Sequence, residues 1–199
     1  RINNASYNPV QSVSESNRPG LVDLLLGHIN EWITGDTYDP NYKFVQPFMT
    51  ALAANALIEY YEWSVEQGTP DTRIPGRIKA IADHIWNCCW VADVGGVPGA
   101  WNDQGGRGHG AFRYVVPSTP IEGTDDPSPV LSLLIAPYYA WVYKHTCDTT
   151  YRERADIIFS GGVALGSSAL GNQGKFFNQN YRNSFDYVIW REMGNASCG

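Results

Sequence analysis

An all-α fold of stacked antiparallel helical hairpins is predicted by three observations. A helix pattern ending in Tyr60-Tyr61-Glu62-Trp63 returns about eighty residues later as one ending in Tyr138-Tyr139-Ala140-Trp141. Each is followed by a polar turn holding Asp-Thr (Asp71-Thr72, Asp148-Thr149), then by an Arg-bearing amphipathic segment opening with Arg73 and Arg77 or with Arg152 and Arg154. Patterns that are apolar nearly all round alternate with patterns that are apolar on one side. A hairpin used twice leaves an apolar face that only a neighbouring hairpin can cover, so repetition at this spacing predicts a helical array.

The elements follow in order. Residues 1–18 are polar, rich in Asn and Ser, and read as an extended arm preceding a single domain over 19–199. The first helix is expected over about 20–34, with Leu21, Leu24, Leu25, His28, Ile29 and Trp32 at helical spacing and Gly35 as its stop. The second, over about 42–67, is apolar on most sides apart from a narrow line of Asn55, Glu59, Glu62 and Glu66. Glu62 and Glu66 are expected in solvent. The third, over about 73–91, sets Ile74, Ile78, Ile81 and Ile85 against Arg77, Asp83, His84 and Asn87, as an outer helix does.

Residues 93–128 then form one long loop dense in Gly, Pro and Asp, a length that points to function when it occurs inside a compact domain. A buried fourth helix is expected over about 129–145, kinked at Pro137. A fifth follows over about 149–165, with Tyr151, Ala155, Ile158 and Gly162 on one face. A sixth is expected from near Lys175 to near Arg191. Its core stripe is Phe177, Tyr181, Phe185 and Val188, and its polar stripe is Gln179, Asn183, Asp186 and Trp190.

This alternation of outer and inner helices resembles the (α/α) toroids, the six-hairpin carbohydrate-active proteins of glycoside hydrolase and polysaccharide lyase type. The resemblance is architectural. It is carried by the two aromatic helix ends, their Asp-Thr turns and the Arg residues after them, with Phe185-Asp186-Tyr187-Val188-Ile189-Trp190-Arg191 as a third aromatic helix end. With about six helices, the chain corresponds to an incomplete toroid of about three hairpins. Either it is part of a longer protein, or it works as an open, curved module. The resemblance implies a carbohydrate partner and a secreted protein, extracellular or periplasmic.

Composition narrows the function classes. The net charge of −6 and a pI near 5.1 argue against nucleic acid as a partner, since phosphates need a basic face. No apolar run reaches the ~20 residues that cross a bilayer. The chain starts at Arg1 without Met, as a processed or truncated product would. Its four histidines are scattered, no Cys-x-x-Cys occurs, and neither a metal nor another cofactor is expected. Cys88 and Cys89, adjacent in a helix pattern, are expected to point apart. Cys147 and Cys198 could bridge in an oxidising compartment, where the sequons Asn4-Ala5-Ser6 and Asn195-Ala196-Ser197 would also matter.

Candidate chemistry concentrates in the long loop. Trp101, Asn102, Gln104, Arg107 and Arg113 form a sugar-binding rim, the indole stacking on a pyranose face while the polar groups bond hydroxyls. The plainer reading is a self-packed loop with its Arg residues paired to nearby carboxylates. Lyase chemistry would use His109 and Tyr114 as base and acid, with Arg113 neutralising a uronate carboxylate. Glycoside hydrolysis would instead use two carboxylates about 5–9 Å apart. Glu59, on an otherwise apolar helix beside Asn55, and Asp103 are the leading pair, with Asp125 and Asp126 behind them. Trp190 is a further candidate for lining the cleft. No Gly-x-Ser-x-Gly elbow or activated cysteine is present. The competing class is a non-catalytic helical scaffold or assembly subunit, whose aromatic faces contact other protein chains or a missing part of the same protein.

Overall fold

The computed structural model describes residues 18–35, 44–92, 110–116, 127–170, 178 and 181–198. They form an all-α domain: α1 (Arg18–Thr34), α2 (Pro47–Glu66), α3 (Arg73–Cys89), α4 (Ser132–Thr146), α5 (Thr149–Leu170) and α6 (Ser184–Cys198). A two-residue antiparallel ladder joins β1 (Trp90–Val91) to β2 (Ala111–Phe112), and a 3₁₀ turn (Pro129–Leu131) leads into α4. The proposed arm lies outside the described residues up to residue 17, and α1 opens at Arg18.

The repeated Asp-Thr turns have a structural cause. The Asp148 carboxylate accepts the Thr150 N–H at 2.9 Å, capping α5, and the Asp71 carboxylate accepts the Arg73 N–H at 3.1 Å where α3 begins. The repeated Arg residues tie each outer helix to the one before it. Arg73 reaches Asp23 at 2.8 Å and Arg77 reaches Asn30 at 2.9 Å, so α3 lies along α1 and parallel to it. Arg154 of α5 meets Asp83 of α3 at 3.1 Å and stacks over Trp86. The helices stop where the backbone can turn: Gly35 (φ 101°) ends α1, as its sequence position predicts, and Gly68 (φ 74°) follows α2.

At the centre stands α4, buried on every side from Ser132 to Tyr143 and continuous through Pro137. The helices α2, α3, α5 and α6 all pack on it. Close approach needs small residues. A Cβ on Gly194 of α6 would fall 2.5 Å from the Tyr143 ring, and one on Gly162 of α5 would fall 2.8 Å from Leu133. Tyr143 meets Gly194 one turn before Cys147 meets Cys198, so α4 and α6 run parallel. Cys147 takes the left-handed cap position after α4 (φ 57°), and its sulfur is bonded to that of Cys198, with Cα atoms 5.3 Å apart.

Several expectations are corrected. α2 is buried along one face only, through residues such as Ala51, Ala54, Leu57 and Ile58, and leaves Met49, Leu52 and Val65 exposed. In α1 the core residues are Val22, Leu26 and Ile29, while Leu21 and Leu24 face out. The sixth helix runs past Arg191 to Cys198, because Gly194 packs on Tyr143 instead of stopping it. Neither stripe is the buried one: Phe185 is 77% exposed and Val188 47%, Asp186 is exposed too, and the residues that turn inward are Ser184, Tyr187 and Gly194, with Trp190 half-buried. The Cys88 and Cys89 sulfurs are bonded to each other, at the point where the helix gives way to extended backbone at Trp90.

The stretch read as one long loop is ordered at its stems. Trp90 pairs with Phe112, Val45 bridges Val116, and Arg113 bridges Pro127. Gly110 is required there, since a Cβ would fall 2.0 Å from the Trp90 indole.

Candidate functional site, a carboxylate groove between α2 and α6

The line Asn55, Glu59, Glu62 repeats every three or four residues, so it occupies one edge of α2. By the same rule Asp186 and Trp190 share an edge of α6. Both helices rest on α4, whose Lys144 reaches Glu62 of the one and Trp190 of the other.

A chain of contacts closes the arrangement at one end. Glu62 Oε1 accepts the Trp141 indole N–H at 2.7 Å and the Lys144 ammonium at 3.0 Å, and His145 Nε2 lies 3.5 Å away. The Lys144 ammonium also sits 4.5 Å over the Trp190 ring. His145 is held between Tyr61 and Trp141, with ring centroids 5.4 and 4.0 Å away. Burial works against ionisation of Glu62, but the bonds from His145, Trp141 and Lys144 outweigh it and hold the carboxyl down to about 2. This corrects its expected place in solvent.

Because that value lies below the ordinary carboxylate range, the sign of the stability effect follows. The contribution is complete above about pH 4.5, where the unfolded chain is ionised, and is lost as pH falls towards 2. Acid titration of wild-type and Glu62→Gln protein by circular dichroism is expected to show wild type more stable at pH 6 by about 1–2 kcal/mol, allowing for partial exposure. The two should converge near pH 2. Parallel curves would show that Glu62 does not titrate in this way.

One turn back along α2, the electrostatics reverse. Protein packed around Glu59 pushes its carboxyl up, the Asp186 charge pushes it further, and the Arg182 charge pulls it down. Asp186 is raised by burial alone. The Asp186 charge therefore favours a proton on Glu59, and both side chains reach the surface. Beside them the Asn55 side-chain Nδ2 is buried without a hydrogen-bond partner. A carboxyl whose proton affinity is raised beside a second carboxyl is the kind of group that general acid/base chemistry uses.

The sequence candidates divide accordingly. Asn55 and Glu59 share the α2 edge of the groove, and Trp190 lies on its α6 side, above Lys144. Tyr114 is 46% exposed and stacks on Phe48 at the start of α2, about 16 Å along that helix from Glu59. Arg113 lies with it, its N–H bonded to the Cys89 carbonyl at 2.9 Å. Trp101, Asn102, Asp103, Gln104, Arg107 and His109 lie outside the described residues, as do Asp125 and Asp126. Sequence reasoning missed Asp186 as a partner for Glu59, and Lys144 altogether. The signal for Asp186 was its place on the same polar stripe as Trp190.

Among the described residues no three His, Cys, Asp or Glu side chains gather as metal ligands, and no helix is long and apolar enough to cross a membrane. Comparison with protein-family models, with curated proteins and with solved structures gives no match.

Proposed function

We propose that this protein is a carbohydrate-active module that binds an oligo- or polysaccharide in the groove between α2 and α6 and cleaves it by acid/base chemistry. The observation that carries the reading is the Glu59–Asp186 pair, two carboxyls on facing helices with raised proton affinities. The protonated partner would serve the leaving oxygen, and the ionised one would activate water or stabilise the sugar cation. Trp190 supplies an aromatic surface at the same groove. The order of the helices supports an incomplete toroid, since α1 and α3 are parallel neighbours and so are α4 and α6. The Cys147–Cys198 bond and the Asn195-Ala196-Ser197 sequon support an extracellular or periplasmic setting.

The test is oligosaccharide hydrolysis by wild type, Glu59→Gln and Asp186→Asn, with folding followed in parallel. Each variant is expected to lose about a hundredfold or more in turnover. Each is also expected to be more stable than wild type at neutral pH. A raised carboxyl opposes folding increasingly as pH rises from the ordinary carboxylate value through its own, and the amide removes that opposition. Full activity in both variants would end the catalytic reading.

A second reading rests on a separate observation. Phe185, Val188, Ile189 and Met193 form an exposed apolar stripe on α6 at helical spacing, as a scaffold or assembly subunit would present to another chain. Light scattering across a concentration series tests it, and a strict monomer that captures no partner counts against it.

A further inference from the structure

We infer that the groove is built for a neutral glycan and not for a uronate polymer, because among the described residues its own carboxyls outnumber its cations; this rests on the carbohydrate reading above. A site that recognises a uronate must offer the sugar carboxylate a cation with capacity to spare, since an uncompensated charge brought into a partly desolvated cleft is costly. Lys144, whose side chain is only 15% exposed, bonds Glu62 at 3.0 Å and spends its remaining field on the Trp190 ring 4.5 Å away. The charge of Arg182 falls on Glu59. Arg191, one residue beyond Trp190, is turned away into a two-pronged bond with Asp156 at 2.7 and 2.9 Å.

Glu59, Glu62 and Asp186 thus face Lys144 and Arg182, with the His145 imidazole 3.5 Å from Glu62, and a uronate carboxylate would enter as a further negative charge. A neutral pyranose meets no such barrier. Its hydroxyls can bond the carboxyls, and its apolar face can cover Trp190. The same distribution argues against elimination chemistry at this groove, which needs a cation on the carboxylate of the sugar being cleaved.

A matched titration tests this by calorimetry at pH 7 and low salt. The panel is gluco-, manno-, xylo- and chito-hexaose, together with a galacturonate hexamer as its methyl ester and as its free acid. Binding of a neutral hexamer, with the free acid at least about tenfold weaker than its ester, is expected. Salt should narrow that gap. Glu62→Gln, which releases Lys144, should strengthen binding of the free acid several-fold, although the wild-type comparison decides the matter by itself. Equal or tighter binding of the free acid overturns this inference and leaves the carbohydrate reading standing. Absence of binding across the whole panel overturns both.

Discussion

The double variant Cys147→Ser/Cys198→Ser is expected to unfold roughly 10 °C below wild type, through a loss of about 4 kcal/mol. The bond closes a loop with a sequence separation of 51, and loop-closure entropy of the unfolded chain at that length gives this magnitude. Its placement sharpens the effect. Cys147 is the left-handed cap of α4 and Cys198 is the last residue of α6, so the bond fixes the end of the helix that carries Asp186 and Trp190. Without it α6 is still held by the packing of Gly194 on Tyr143, by the Asp156 cluster, in which Tyr187 and Arg191 each bond the carboxylate at 2.7 Å, and by the stack of Phe159 on Tyr187. Calorimetric scans of wild type with and without a dithiol reductant, beside the double variant, provide the check. Coincidence of all three would show that the bond does not stabilise the protein.

Trp141→Ala is the second large effect, a loss of about 3–5 kcal/mol from removing a fully buried indole. Two costs combine. The cavity opens against Tyr61 and His145, whose rings lie 5.5 and 4.0 Å from the indole, and Glu62 loses its shortest bond. Trp141→Phe separates them, since it keeps most of the ring and deletes only the N–H. Its expected cost is about 1.5–3 kcal/mol, the range for a hydrogen bond to a charged group. Combined with Glu62→Gln in a double-mutant cycle, Trp141→Phe should be clearly non-additive. Additivity within about 0.5 kcal/mol would mean that the bond contributes little.

What the sequence made legible was the repeat, because a repeat is a local statement made twice. Tyr-Tyr-x-Trp, Asp-Thr and the following Arg residues recur in order. The aromatics meet where α2 packs on α4, and the Asp residues bond the first turns of outer helices. Arg73, Arg77 and Arg154 bridge to the previous outer helix, while Arg152 covers Tyr143. The faces of α6 were not legible in the same way. Periodicity gives two stripes, and hydrophobicity assigns the inner one only where a helix has neighbours on its apolar side. At the edge of the array Phe185, Val188 and Asp186 all stay exposed, and the helix turns inward on Ser184, Tyr187 and Gly194, which belong to neither stripe. Glu62 was misread for a different reason. Its partners Trp141 and Lys144 are 79 and 82 residues away, and nothing in the residues around Glu62 announces them. Glu59 was recognisable from its place on an apolar helix, its expected partner Asp103 lies outside the described residues, and the carboxyl whose charge does bear on it, Asp186, comes from another helix.

The enclosure of α4 also bears on how the molecule comes apart. Helical arrays ordinarily melt from their ends, because each repeat touches only the next and fraying one unit leaves the others intact. Here a single helix is the common neighbour of α2, α3, α5 and α6. Withdrawing any one of them wets a side of that helix: Trp141 where α2 leaves, Tyr139 where α3 leaves, Leu133 where α5 leaves and Tyr143 where α6 leaves. Partial unfolding therefore has no inexpensive intermediate, and an architecture of repeats acquires the all-or-none character of a small globular domain.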